Sequence, residues 1–324
     1  MGYPDFVCMG FQKCGTTTLY DIFRQHPQVA LCRDVKEPMY YRAPVFEYLG
    51  LGHRYYKSRY FGHLNARDRR LKGEINAGLT YGGCARRVKH YYPKDVKMIF
   101  MMRNPIDRSY SAYKYFLARG FLPKAAVLYD DAHGHAQGFD HYVHFVIDNP
   151  KQRSKIMKTR QRYMVLSQSN YASCLRDYLD TFDVSQMHFM IFEEFIQDQH
   201  ESCRELYRFL GVTDAPGIAY DIRANEGNER VVSPFRARQY LVDKSLNYAF
   251  YDLAAMPHWI PKVYDAFEKH HMRVRNKCLK LDEDKSKVLP ETRQYLEEYF
   301  EPEVREMEKL IGRNLHTVWN FTNV

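Results

Sequence analysis

The stretch GFQKCGTTTLYDIFRQHP, Gly10 to Pro27, holds the first residues whose types and spacing could do chemistry. It follows a short apolar run, Phe6-Val7-Cys8-Met9, and leads into a helical pattern with Leu19, Ile22 and Phe23 on one side. Strand, glycine loop and helix in that order turn unpaired N–H groups and a helix dipole onto one point, a place for phosphate. In the common nucleotide-binding loop the lysine follows the second glycine and the next Ser or Thr holds Mg²⁺. Here Lys13 precedes Gly15, an order that argues against a Mg²⁺-dependent nucleotide kinase. A second signal lies in MIFMMRNPIDRSYSAYKYF, Met98 to Phe116. Arg103 closes an apolar run, Pro105 suits the first turn of a helix, and Ser111 follows Arg103 by eight residues. A guanidinium and a hydroxyl so placed could hold one further phosphate, so a ligand with two separated phosphates is implied.

These residues need a scaffold, and the chain reads as an alternating one. β-rich apolar runs occur at Asp5–Met9, near Val29–Cys32, and at Leu71–Ile75, Lys97–Met102 and Met187–Phe192. Helical patterns lie near Thr17–His26, Gly83–Tyr91, Pro105–Ala118, Tyr171–Thr181 and His200–Leu210. Alternation of this kind predicts an α/β fold whose parallel sheet is flanked by helices, with ligands beyond the carboxyl ends of the strands. The second half is more helical, and Pro290–Ile311 is its clearest helix. No internal repeat is visible, and the 324 residues are expected to form a single catalytic domain over 1–324, with insertions.

A formal charge of +9, from 48 Lys+Arg against 39 Asp+Glu, favours an anionic partner: a nucleotide, an acidic polysaccharide, nucleic acid or a membrane face. The run KQRSKIMKTRQR, Lys151–Arg162, holds six bases and no acid, which suits a solvated face or a contact for an acidic acceptor. Seven scattered cysteines without a CxxC pair indicate neither a zinc ribbon nor a dense disulfide framework. No apolar run reaches the length of a membrane span. The abrupt start on a strand fits a cytosolic enzyme, and equally a catalytic domain separated from an anchor and stem.

Both phosphate segments resemble those of the sulfotransferases that use 3′-phosphoadenosine 5′-phosphosulfate (PAPS), and so imply a P-loop-like sulfotransferase fold. Their 5′-phosphosulfate loop is similar to Gly10–Leu19, and their 3′-phosphate element pairs an arginine and a serine at the spacing of Arg103 and Ser111. PAPS carries phosphate at each end of its adenosine, PAP is the product, and the family uses no metal. KEPMYY (Lys36–Tyr41), KGEINAGLTY (Lys72–Tyr81) and LPETRQYLEEYFEPEVREMEKLIG (Leu289–Gly312) resemble the carbohydrate branch, most closely the Golgi glycosaminoglycan enzymes of the chondroitin N-acetylgalactosamine 4-sulfate 6-O-sulfotransferase type. The chain departs from related patterns at Met39, Ile75 and Glu303-Val304, on the acceptor side.

The resemblance implies roles. Glu74 is the general base for the acceptor hydroxyl, at a strand end where burial would raise its pKa. Lys13 neutralises the bridging oxygen as the S–O bond breaks, and Lys36 is a second candidate for that charge or for the acceptor. N–H groups from Cys14 through Gly15 to Thr18, with the Thr16 and Thr17 hydroxyls, hold the 5′-phosphate, while the Cys14 thiol itself is filler. Arg103 and Ser111 hold the 3′-phosphate, and a base from Asn276–Lys287 closes over the donor. The acceptor is expected to be an acidic glycan such as chondroitin or dermatan sulfate. No nucleic-acid partner is expected, and membrane contact only through an anchor outside this chain. Residence in the Golgi lumen follows, with a cytoplasmic enzyme for small alcohols or phenols as the alternative. The segment HRYYKSRYFGH, His53–His63, interleaves four aromatics with bases and suits either sulfated sugar rings or an amphipathic surface.

Overall fold

The computed structural model describes residues 4–33, 36–38, 53–65, 67–80, 83–118, 129–130, 135–136, 138–148, 164–222 and 288–321. In chain order, the described elements begin with β1 (Phe6–Cys8), α1 (Thr16–Phe23), β2 (Val29–Leu31), α2 (His53–Phe61), β3 (Leu71–Ile75), α3 (Cys84–Tyr91), β4 (Lys97–Met102) and α4 (Pro105–Ala118). There follow β5 (Tyr129–Asp130), β6 (His135–Ala136), α5 (Phe139–Asp148), α6 (Met164–Ser167), α7 (Tyr171–Leu179), β7 (Met187–Ile191), α8 (Phe192–Gln197), α9 (Gln199–Leu210), α10 (Pro290–Ile311) and α11 (Leu315–Trp319). Among the described residues no helix is long and apolar enough to cross a membrane. The chain divides into two compact units, Met1–Arg108 with Asn170–Glu226 and Phe300–Val324, and Ser109–Ser169 with Gly227–Tyr299.

The first unit is built on a five-stranded sheet in the order β2-β3-β1-β4-β7, every neighbouring pair parallel. Parallel strands covered on both faces read as continuous apolar runs, and β1 and β4 do so because Phe6, Val7, Cys8 and Met98 to Met102 are all fully buried. Register sets Val7 beside Glu74 on one side and beside Met98 on the other. Gly73 is required by its neighbour across the ladder, since a Cβ there would lie 2.0 Å from Cζ of Phe6. Successive strands run to one side of β1 and then switch to the other, and the crevice at such a switch is where ligands of open α/β sheets bind.

The carboxyl end of the chain closes this unit. Glu308 accepts from the backbone N–H groups of Leu315 (2.6 Å) and His316 (2.9 Å), and Asn314 caps α11 through Thr317 N. Trp319 then donates its indole N–H to Glu193 at 3.0 Å, while its carbonyl accepts from Asn104 Nδ2 at 2.9 Å. The second unit has its own aromatic cluster, with Tyr113 5.3 Å from both Phe139 and Tyr142 by ring centroid. Thr292 and Tyr295 donate to Asp140 and Asp148 of α5, at 2.5 and 2.8 Å.

Candidate active site

Beyond β1 the chain stays paired with β4, through Met9 N to Ile99 O (2.7 Å) and Phe11 N to Met101 O (3.1 Å). A Cβ on Gly10 would meet Thr16 Cγ2 at 2.2 Å, so only glycine lets the loop fold back on the helix it feeds. Lys13 and Gly15 both take left-handed backbone, φ 72° and 89°. Left-handed residues in a turn direct neighbouring N–H groups to one side, which makes a concavity for an anion. Gly15 is the N-cap of α1 and has no side chain to occupy the first-turn N–H groups of Thr16, Thr17 and Thr18. The Cys14 thiol is pushed up to about 12 by burial, so it stays protonated and its part in the loop is its backbone.

Lys36 crosses to this loop from the segment after β2. Its ammonium donates to the hydroxyls of Thr16 and Thr17 at 2.9 and 3.0 Å and lies 3.5 Å from Glu37. A positive charge thus stands over the α1 N-terminus on two loop hydroxyls, beside half-buried Lys13. The same segment is tied to β3. Asn76 Nδ2 donates both to Pro38 O (2.5 Å) and to Glu74 Oε1 (2.7 Å), while its own Oδ1 accepts from Gly78 N (3.0 Å).

Glu74 is 1% exposed. Its Oε2 accepts from two phenols, Tyr56 of α2 and, at 2.9 Å, Tyr92 just after α3. Burial raises the Glu74 pKa above the ordinary carboxylate value, against the pull of the hydrogen bonds from Tyr56, Asn76 and Tyr92. Neither tyrosine carries a sequence signal for this contact, because each stands 18 residues from the glutamate and in a different element. For the His53–His63 aromatics this packing favours the amphipathic alternative. Tyr56, Tyr60 and Phe61 are buried, the Tyr56 ring packs at a tilt against Tyr60 and Phe61 at 5.2 and 5.9 Å, and of the four aromatics Tyr55 is left partly open.

Arg103 leaves the end of β4 beside the loop. Its guanidinium lies 4.5 Å from the Phe192 ring centroid and donates to Lys13 O at 3.4 Å. The same ring lines the loop, since a Cβ on Gly15 would be 2.7 Å from Phe192 Cδ2. Arg103 Nε is buried and has no hydrogen-bond partner among the described residues. A buried charged donor without an acceptor is costly, and a phosphate oxygen would satisfy it, so the residues present fit the phosphorylated donor that the loop implies. Arg108, fully buried, donates to Gln12 O at 3.3 Å and braces the loop from beneath. Tyr171 donates to Arg103 O at 2.8 Å and packs its ring 4.4 Å from Phe11.

The first unit therefore brings together Lys13, Cys14, Gly15, Thr16, Thr17, Thr18, Lys36, Glu74 and Arg103. Ser111 is on α4 in the second unit, half-buried. Residues 39–41, 151–162 and 276–287 lie outside the described residues. Glu303, one departure from the family pattern, accepts from Ala172 N at 2.5 Å near the start of α7 and so has a local structural task.

A model of the sulfotransferase domain matches residues 3–226. Human carbohydrate sulfotransferase 15 is 24% identical over 252 residues, covering 64% of this chain and 44% of that protein. The chain thus spans less than half the length of that relative. The membrane-associated sulfotransferase kil1 of Dictyostelium discoideum is 27% identical over 112 residues, 35% of this chain and 23% of that one. Among solved structures, a sulfotransferase from Alicyclobacillus acidocaldarius covers 99% of this chain and 100% of its own at 22% identity, with a TM-score of 0.59. That likeness shows the fold.

Proposed function

Because the chain belongs to the sulfotransferase domain family and has its P-loop-like α/β fold, we propose that it moves a sulfuryl group from PAPS to a carbohydrate hydroxyl. The observation that carries this reading is the meeting of two elements at neighbouring strand ends. An anion loop with a lysine on its threonines follows β1, and a buried carboxylate ends β3 beside it in register. The acceptor oxygen attacks sulfur in line, the bond from sulfur to the bridging oxygen of the 5′-phosphate breaks, Glu74 takes the hydroxyl proton, and PAP leaves. Lys13 and Lys36 supply positive charge where the leaving phosphate gains negative charge, and Arg103 with Ser111 holds the 3′-phosphate. Burial raises the Glu74 pKa above the ordinary carboxylate value, which favours its holding the proton after transfer.

The acceptor proposed is an acidic glycosaminoglycan, supported by the +9 charge and by the likeness to carbohydrate sulfotransferase 15. Such an acceptor would place the enzyme in the Golgi lumen. PAPS bearing labelled sulfate, offered with chondroitin, dermatan and heparan chains and with simple phenols, tests both levels. Label on one glycan class is expected. Label on phenols alone would move the enzyme to small-molecule acceptors, and no transfer to any acceptor, with PAP failing to bind, would sink the activity itself.

A further inference from the structure

The surroundings of Glu74 hold more than a base requires. An ionised carboxylate has about four lone-pair sites, and three are filled here. Tyr56 and Tyr92 take both on Oε2, and Asn76 takes one on Oε1. Among the described residues the single open site is on Oε1, the oxygen that Asn76 links to Pro38 and hence to the segment bearing Lys36. Resting on the general-base reading above, we infer that Tyr56 and Tyr92 are positioning residues that fix Glu74 in one orientation and leave Oε1 as the atom that receives the acceptor proton.

The arrangement is built from four directions. Tyr56 comes from α2, Tyr92 from the end of α3, Asn76 from the turn after β3, and the Lys36–Pro38 segment from beyond β2. Among the described residues, the other titratable groups that feel the carboxylate are Cys32, Glu37, Tyr60 and Tyr178. Cys32 donates to Gly73 O and Tyr178 to Leu79 O, and burial keeps both protonated. Glu37 raises the Glu74 pKa by its charge, and Lys36 stands next to it. The two phenols are thus the neighbours that both donate to Oε2 and restrain its proton affinity. Both phenols donate to Glu74, so their loss should be read at the base and not at the nucleotide.

The sign of the effect is fixed by the hydrogen bonds. A phenol donating to the charged carboxylate lowers its pKa, so removing that donor raises it, and the acid side of the pH–rate profile moves up. The experiment compares kcat profiles, donor KM, PAP affinity and thermal midpoints of the wild type with Y56F, Y92F, E74Q and Y178F. Each of Y56F and Y92F is expected to shift the acid limb upward by about one pH unit. Turnover should be about tenfold lower below that limb and recover above it, with PAP affinity unchanged. Y178F, which loses a phenol that donates elsewhere, is expected to leave the limb in place. An E74Q enzyme with wild-type turnover would remove the general base itself. With E74Q inactive, folded Y56F and Y92F enzymes that keep the wild-type limb, lose rate equally at every pH, or shift no more than Y178F would overturn the inference alone.

Discussion

At the scale of single residues, the proposed site separates charge that holds the donor from charge that serves the reaction. Lys36 places its ammonium on Thr16 and Thr17, so Lys36→Ala should cost about 100-fold in single-turnover rate while PAP binding changes little. Rapid-quench transfer of labelled sulfate measures the rate, and a KM effect with no rate effect would reassign Lys36 to simple binding. Arg103 is expected to behave in the opposite way. Arg103→Ala should weaken PAP by about 10- to 100-fold in calorimetric titration, because it removes the charge-assisted contact proposed for the 3′-phosphate. Lys13, Arg103 and Glu74 were legible as residues because their segments keep the family's order and spacing. The partners of Glu74 were not, because an 18-residue separation crosses element boundaries and no local period encodes it. The aromatics of His53–His63 left two readings open for a related reason: composition does not say which face of a helix turns inward.

At the scale of elements, strands were legible because this sheet is covered on both faces. The runs at Leu71–Ile75 and Lys97–Met102 match their strands end to end, and Met187–Phe192 ends one residue beyond β7. Strand order was not legible, since an apolar run states burial and not neighbour. Gly73 is a product of that order, and Gly73→Ala should destabilise the protein by about 1–3 kcal/mol in denaturant titration, as the Phe6 ring must leave its place on β3. An unchanged midpoint would show that the ring moves freely. The turn from α10 to α11 carries a titrating clasp. Burial disfavours charged His316, but its bonds to Glu308 (2.9 Å) and Glu301 (2.8 Å) outweigh this and raise its pKa above 6.5, while both glutamates lie below 4.5. A raised histidine stabilises below its unfolded pKa and loses this as pH passes its folded one; a lowered carboxylate stabilises above its unfolded pKa and loses this as pH falls. The clasp is therefore strongest between pH 4.5 and 6.5. Thermal midpoints of His316→Gln should fall furthest below wild type in that window, and a deficit independent of pH would mean that only packing was lost.

At the scale of the whole molecule, the surplus of 48 Lys+Arg over 39 Asp+Glu is a long-range feature with a salt signature. For an acidic glycan acceptor the KM should rise steeply between low and physiological ionic strength, and for a neutral acceptor it should stay nearly level. Equal salt dependence for both would place the field away from the acceptor path. The two-unit division of the contacts is discontinuous in sequence, so no single boundary along the chain marks it. The three residues Lys36, Glu37 and Pro38 lean on the donor loop at one end and on Asn76, and through it Glu74, at the other. On the proposed reading, donor and acceptor would be linked guests of one short strut. By thermodynamic reciprocity, whatever factor the nucleotide adds to acceptor affinity is the factor that the acceptor returns to the nucleotide. PAP, which shares the donor's phosphates, would draw on the same linkage, so the affinity of a sulfated product would depend on whether PAP is still seated.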